Sequence, residues 1–453
     1  MISRNKTRSF LASTTLTASG AVLLCLGGYA QNSADQHAND APNSGVETVA
    51  QASTAPENTG QGLETTTGSS GSGSYFPSLN GTGLINAFEA RRLQFSYGAT
   101  FSEGYQNNIG DTTHEVAGRS TIATPSFQLI AQGPKNRAIL QYAPTITSYA
   151  SSQLGVQALH NASLVVLGDI NRQWNWDFSI SGNYGDDALR LLAPLGVDSI
   201  GSVAAIKPGM ADFLASQKVL GSNGKIGLDW RRSERDKIRF SVEETYYRYY
   251  LISRTSETAT LGVSYDHQVS QRTTLQVYGR AFNGNAEAQC SSGGGGVGVV
   301  YRPSRITVAE FAVGPQFNSG HCGKQQAFNF HAGFSQQLKN RASFYAVANR
   351  EFSTAYRAHN RWEDNFVAGF SKSATRKTSI SADTGFVRSD PVDRSSTYHG
   401  YFVSSSFEWR LGSQLSALAI YRWYYRFVGD LTLNRQVAMI SLVWNPRPVL
   451  LRR

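Results

Sequence analysis

From Leu93 onward the chain alternates strictly between two kinds of residue. Leu93, Phe95, Tyr97, Ala99 and Phe101 are apolar, while Gln94, Ser96, Gly98, Thr100 and Ser102 between them are small or polar. A period of two held over this length makes a strand with two unlike faces. The pattern returns in Trp174, Trp176, Phe178 and Ile180 against Asn175, Asp177, Ser179 and Ser181, and in Leu275, Val277, Gly279 and Ala281 against Thr274, Gln276, Tyr278 and Arg280. It returns again in Phe328, Phe330, Ala332 and Phe334, and in Tyr401, Val403, Phe407 and Trp409. Strands of a sandwich average about five to six residues, so segments this long and this frequent argue for a different all-β architecture.

Such segments number about eighteen. They run at 92–102, 120–131, 137–149, 157–169, 174–184, 222–231, 237–250, 258–267, 273–283, 294–301, 305–317, 326–336, 341–353, 362–371, 378–388, 397–410, 414–427 and 435–445. An even count is what a bacterial outer-membrane barrel requires. Every second connection is short and built of turn residues: Gly133-Pro134-Lys135-Asn136, Asn171-Arg172-Gln173, Ser233-Glu234-Arg235-Asp236, Ser270-Gln271-Arg272, Pro303-Ser304, Lys339-Asn340, Ala374-Thr375-Arg376-Lys377 and Gly412-Ser413. The connections between them are mostly longer. Short periplasmic turns alternating with longer outer loops are the plan of such a barrel, and the plan puts both chain ends on the periplasmic side. The expected fold is therefore a transmembrane, antiparallel, up-and-down β-barrel of sixteen to eighteen strands over 91–453. The alternation blurs around Glu243-Glu244 and at Glu310, where a bulge is expected to shift the facing.

The start of the chain reads differently. Residues 1–30 have the order of a secretory signal: Arg4, Lys6 and Arg8, then an apolar stretch from Leu16 to Leu26, then Gly28-Tyr29-Ala30 as a cleavage site. Residues 31–90 are rich in Ser, Thr, Gly, Asn, Gln and Ala, with six acids (Asp35, Asp40, Glu47, Glu57, Glu64, Glu89) and no Lys or Arg. Too little apolar surface is available there to fold, so a disordered acidic tail is expected. Removing both segments leaves 39 basic and 26 acidic residues in 91–453. No later segment offers about 18 uninterrupted apolar residues, so the chain crosses a membrane as strands or not at all.

The 453 residues suit two or three soluble domains or one large barrel, and the 40 % apolar content separates neither, because barrel strands average out as polar. Aromatics at 11 % suit girdles at both membrane interfaces.

Parity places Arg92, Arg231, Arg280, Arg422 and Arg426 on the inward face, with Lys225, Asp177, Asp229, Asp266 and Asp383. A row of inward cations in a water-filled tube favours anions; the alternative is that these charges pair with inward acids and stiffen the wall. Cys290 and Cys322 fall in outer loops on the same side, so in an oxidising compartment a disulfide is expected, against two separate thiols. The longest loop, 185–220, follows the fifth strand and carries a proline-started helical stretch at 208–216. It either folds into the lumen, as the loop after the fifth strand does in general porins, or caps the barrel.

Gly293 to Gly296 reads as a glycine run in a loop, and His160, His331 and His399 as wall or rim residues. No pattern brings Ser, His and Asp together, and none provides a metal, phosphate or dinucleotide motif. The reading is a non-enzyme with no catalytic residues, no metal, no cofactor and no nucleic-acid partner.

The stretch Thr124-Pro125-Ser126-Phe127 to Tyr142-Ala143-Pro144-Thr145, continued by His160 and Arg172-Gln173-Trp174-Asn175-Trp176, resembles outer-membrane β-barrel proteins of the porin group found with exopolysaccharide machinery. The C-terminus departs from the usual pattern of a terminal aromatic, so Trp444 is taken as the strand end. Three functions follow as expectations: a passive porin-like channel for small hydrophilic, anion-leaning solutes; a barrel for exopolysaccharide export or anchoring; or a structural or adhesive barrel with a filled lumen. The expected surroundings are the cell outer membrane with its lipid and lipopolysaccharide, the barrel-assembly machinery, and polysaccharide or its export proteins.

Overall fold

The alternating segments become the staves of one closed antiparallel sheet. A computed structural model describes residues 93–107, 117–133, 135–150, 156–186, 218–250, 254–285, 289–320, 322, 326–338, 341–356, 359–391, 398–428 and 431–451. The signal and acidic tail expected at 1–90, Arg92, and the 208–216 helical stretch lie outside the described residues.

The strands are β1 (Leu93–Gln106), β2 (Gly118–Gln132), β3 (Asn136–Tyr142), β4 (Thr145–Tyr149), β5 (Val156–Asp169), β6 (Trp174–Asp186), β7 (Lys218–Arg231), β8 (Asp236–Tyr249), β9 (Arg254–Gln268) and β10 (Thr273–Asn285). They continue as β11 (Gln289–Ser304), β12 (Thr307–Gly320), β13 (Gln326–Leu338), β14 (Ala342–Tyr356), β15 (His359–Ser373), β16 (Thr378–Pro391), β17 (Tyr398–Arg410), β18 (Leu415–Val428), β19 (Leu431–Trp444) and β20 (Val449–Leu450). Neighbours in sequence pair, with β3 and β4 both lying between β2 and β5, and β19 pairs with β1 from Ala99↔Trp444 to Gln106↔Val437, which closes the ring.

The wall has eighteen strands, because β3 and β4 are two halves of one. Both pair with β2 and β5 in one register, interrupted at Ala143-Pro144. Pro144 has no N–H to give the ladder. The flanking Ala143 keeps its bond to the Asn161 carbonyl at 2.9 Å, and Asn161 Nδ2 donates back to the Ala143 carbonyl at 3.1 Å. β20 is a short return of the tail onto β1, opposite Gln94 and Phe95, while the last wall strand ends at Trp444.

Each of the expected segments corresponds to one wall strand. The corrections are local. Gly293 to Gly296 lie inside β11, not in a loop, and Pro303-Ser304 also belong to that strand, the turn being 305–306. No bulge occurs at Glu243-Glu244 or Glu310; the register shifts lie between Tyr301 and Ser304 and between Ser353 and Tyr356. Three of the connections expected to be long, 286–288, 357–358 and 429–430, are as short as the turns of the other end, because their strands run further than the alternation showed.

Cross-strand partners point to the same side, so the register fixes the facing of the whole wall. Large apolar residues stand outside and exposed, Phe101 at 54 %, Val297 at 60 % and Phe328 at 67 %, while Ser102 at 3 % and Ser441 at 1 % face inward. This is the reverse of a soluble barrel and is the distribution that hydrocarbon surroundings require. Aromatic pairs mark both margins of the outward face. Trp174 and Trp230 stack at the short-turn end, centroids 5.5 Å apart, and Tyr184 meets Tyr250 edge-on at 6.0 Å towards the other. From Trp174 to Tyr184 the chain climbs about 33 Å along β6, or about 25 Å along the axis at a tilt of roughly 40°, the height of a barrel's apolar band.

Candidate functional site in the lumen wall

The inward charges concentrate on β6 to β10. Asp177 and Asp229 converge on Arg239: Nη2 donates to Asp177 Oδ1 at 2.9 Å and Oδ2 at 3.1 Å, and Nη1 to Asp229 Oδ1 at 3.1 Å. Lys237 Nζ lies 3.1 Å from Asp229 Oδ2. Around this group Gln276 donates to Asp266 at 3.1 Å, and Asn223 donates to Glu243 at 2.8 Å, opposite Lys225 in the register. Arg231 faces inward opposite Lys237, and Arg280 faces inward between Gly262 and Gly294, two residues from Tyr278. Among the described residues neither Arg231 nor Arg280 makes an ion pair. Asp177 and Asp229 are thus held by cations of the wall itself.

The other expected inward residues lie apart from this group. Asp383 accepts a hydrogen bond from Tyr345 Oη at 2.7 Å, across the intervening Gly369. Arg422 faces inward opposite Ser404 and Val437 and donates to Tyr424 Oη at 3.4 Å. The backbone of Arg426 pairs with Gly400 and Leu433.

Arg239 and Lys237 are not singled out by the sequence pattern. They are recoverable in hindsight, since the 232–235 turn pairs Asp229 with Arg239. Glu310 is nearly fully buried and inward, and His331 on β13 explains how the wall tolerates it: Nε2 and Oε1 lie 2.8 Å apart. His160 faces outward against Tyr142 at 2.9 Å, and His399 stacks on Phe427, centroids 4.5 Å apart.

Cys290 and Cys322 are joined, with Cα atoms 5.0 Å apart. Cys290 is the second residue of β11, not a loop residue, and Cys322 lies between β12 and β13. Phe282, Phe352 and Trp362 pack around the pair. Among the described residues no group of three or more His, Cys, Asp or Glu could hold a metal ion.

No protein-family model matches the chain, and no curated protein matches it. Solved structures similar to it include OccAB4 of Acinetobacter baumannii (TM-score 0.43, 9 % identity, 79 % of this chain and 98 % of that one). OccK2 (OpdF) of Pseudomonas aeruginosa gives 0.44, 8 %, 78 % and 98 %, and the FrpB iron transporter of Neisseria meningitidis gives 0.40, 10 %, 75 % and 64 %. At these values the likeness assigns the chain to none of their families, and none of these names concerns exopolysaccharide.

Proposed function

We propose that the protein is an outer-membrane, porin-like channel through which small hydrophilic solutes diffuse passively, with a mild preference for anions. The observation that carries the reading is the inside-out wall: apolar and aromatic outside, polar and charged inside, over eighteen strands. The preference rests on Arg231 and Arg280, whose charge is not cancelled by a described carboxylate. Lipid, lipopolysaccharide and the barrel-assembly machinery are the partners this reading requires, with the short turns and both chain ends in the periplasm.

Planar-bilayer recording of the full mature chain tests it. Stable ohmic steps with a small anion-selective reversal potential support the reading, and absence of conductance overturns it. A tag in the Ser233–Asp236 turn should stay unreactive towards impermeant reagent on intact cells; reactivity there would reverse the orientation.

One observation favours a second reading, a barrel with a filled lumen. Tyr247 is 1 % exposed and Tyr249 0 %, although both face inward. Silence in the bilayer with an intact barrel would support it. The resemblance of the Thr124 to Trp176 stretch leaves polysaccharide export or anchoring as the work such a filled barrel would do through partners.

A further inference from the structure

A series of rings with two cations on it runs up the outward face towards the end away from the short turns. Tyr142 and His160 stack at 6.4 Å, His160 and Tyr184 at 6.5 Å, and Tyr184 meets Tyr250 at 6.0 Å. Lys218 Nζ lies 5.1 Å from the Tyr184 ring centre, and Arg248 Cζ 5.3 Å from that of Tyr250. The Tyr250 N–H donates to the Lys218 carbonyl at 3.2 Å, so the two cations share one small area of the wall.

The charge of Arg248 has no counterpart in the described chain. Its register partners Leu220 and Thr255 are uncharged, and the nearest outward carboxylates along the strands, Glu244 and Glu257, form no ion pair with it. The backbone of Lys218 pairs with that of Asp186.

Height decides what surrounds this arginine. Arg248 is ten residues beyond Ile238, the register partner of Trp230, about 34 Å along the strand and about 26 Å along the axis at a tilt of roughly 40°. That is the upper margin of an apolar band about 25 Å tall, where the headgroups begin and an outward arginine is tolerated far better than at midplane. In that layer the abundant anion is lipid phosphate, which a guanidinium binds through two parallel N–H donors. The Tyr250 ring under Arg248 holds the guanidinium while leaving its edge to the ligand.

We propose that Arg248, seated on Tyr250 beside Tyr184 and Lys218, is a binding site for the phosphate of a phosphorylated lipid headgroup in the leaflet at this end of the barrel. The proposal rests on the membrane-spanning reading above. Native mass spectrometry of the full mature barrel, released from detergent with hexa-acylated lipid A or with an uncharged diacylglycerol, tests it. Wild type should retain lipid A in preference to diacylglycerol, Arg248→Gln should lower that retention about tenfold, and Arg248→Lys, which keeps the charge but not the paired donors, should fall between the two. Arg272→Gln, in a short turn at the other end, should match wild type. Equal retention by wild type and Arg248→Gln overturns the site. Competition by millimolar inorganic phosphate as effective as lipid A overturns the lipid assignment. Heat-shifted migration and vesicle insertion are recorded for every variant, so a chain that never inserts overturns the membrane reading itself, whereas an inserted barrel without lipid preference overturns only the site.

Discussion

Arg239 and Asp177 are joined at 2.9 Å although their strands, β6 and β8, do not pair with each other. The bond passes over Gly227 of β7, where an added Cβ would come within 2.6 Å of Arg239 Nη2. Asp229 accepts from the same guanidinium, so one arginine binds two acids from two strands. Removing one partner of a largely buried ion pair leaves uncompensated charge and costs about 3–5 kcal/mol. Arg239→Gln should therefore lower the urea midpoint of the refolded barrel, and it should move the reversal potential towards cations, since two carboxylates are released. An unchanged midpoint together with an unchanged reversal potential would show that the network neither holds the wall nor shapes its field.

The Trp174–Trp230 stack, with ring planes 8° apart, places two indoles side by side at the short-turn margin of the outward face. Aromatic pairs contribute about 0.5–1.5 kcal/mol beyond the area they bury. Trp174→Ala and Trp230→Ala should each destabilise the barrel, and the double variant should cost less than the sum of the two. Strict additivity of the three unfolding free energies would rule out a specific ring–ring contribution.

Alternation made the wall legible because facing along a strand follows one rule, and hairpin turns such as 232–235 carry that rule from strand to strand. Inward Arg231, Arg280 and Asp177 could be named by parity alone. What parity could not give is which inward charges meet across an intervening strand. Arg239 and Asp177, like Tyr345 and Asp383, pair over a glycine whose relevance depends on a register between residues distant in sequence. Glu310 looked like a break in the pattern for the same reason, since its partner His331 lies on the next strand and alternation contains no pairwise term. Glycines 293 to 296 have the composition of a loop but stand in β11, because small residues let two backbones approach within a sheet.

Cys290 and Cys322 tie the start of β11 to the connection after β12, a separation of 32 residues. A cross-link over such a span stabilises by about 2–4 kcal/mol. Non-reducing digestion should yield the two cysteine peptides linked, and Cys290→Ser should lower the unfolding midpoint as much as reductant lowers that of wild type. Free thiols at both positions in freshly isolated membranes would remove the basis for this expectation.

The glycine cluster of β11 and β12 supplies a sharper test of the register. A Cβ on Gly314 would meet the backbone of Gly295 and lie 2.6 Å from Gly296 Cα, and backbone in a closed sheet cannot rotate aside as a side-chain end can. A Cβ on Gly293 has nothing within 4 Å. Both glycines are in strands, where β-branched residues are otherwise favoured, so strand propensity predicts the same gain for valine at either position. Packing predicts opposite outcomes. Overpacking a tight contact costs about 1–3 kcal/mol, and here the yielding group is main chain, so Gly314→Val should fall at the upper end of that range or fail to refold. Gly293→Val, outward and unobstructed, should stay within about 0.5 kcal/mol of wild type, as open surface substitutions do. Refolding yield into detergent, followed by urea titration and heat-shifted migration, reads both variants side by side. If the two valines behaved alike, the close approach of Gly314 to Gly295 and Gly296 would be refuted, and with it the pairing assigned to this part of the wall.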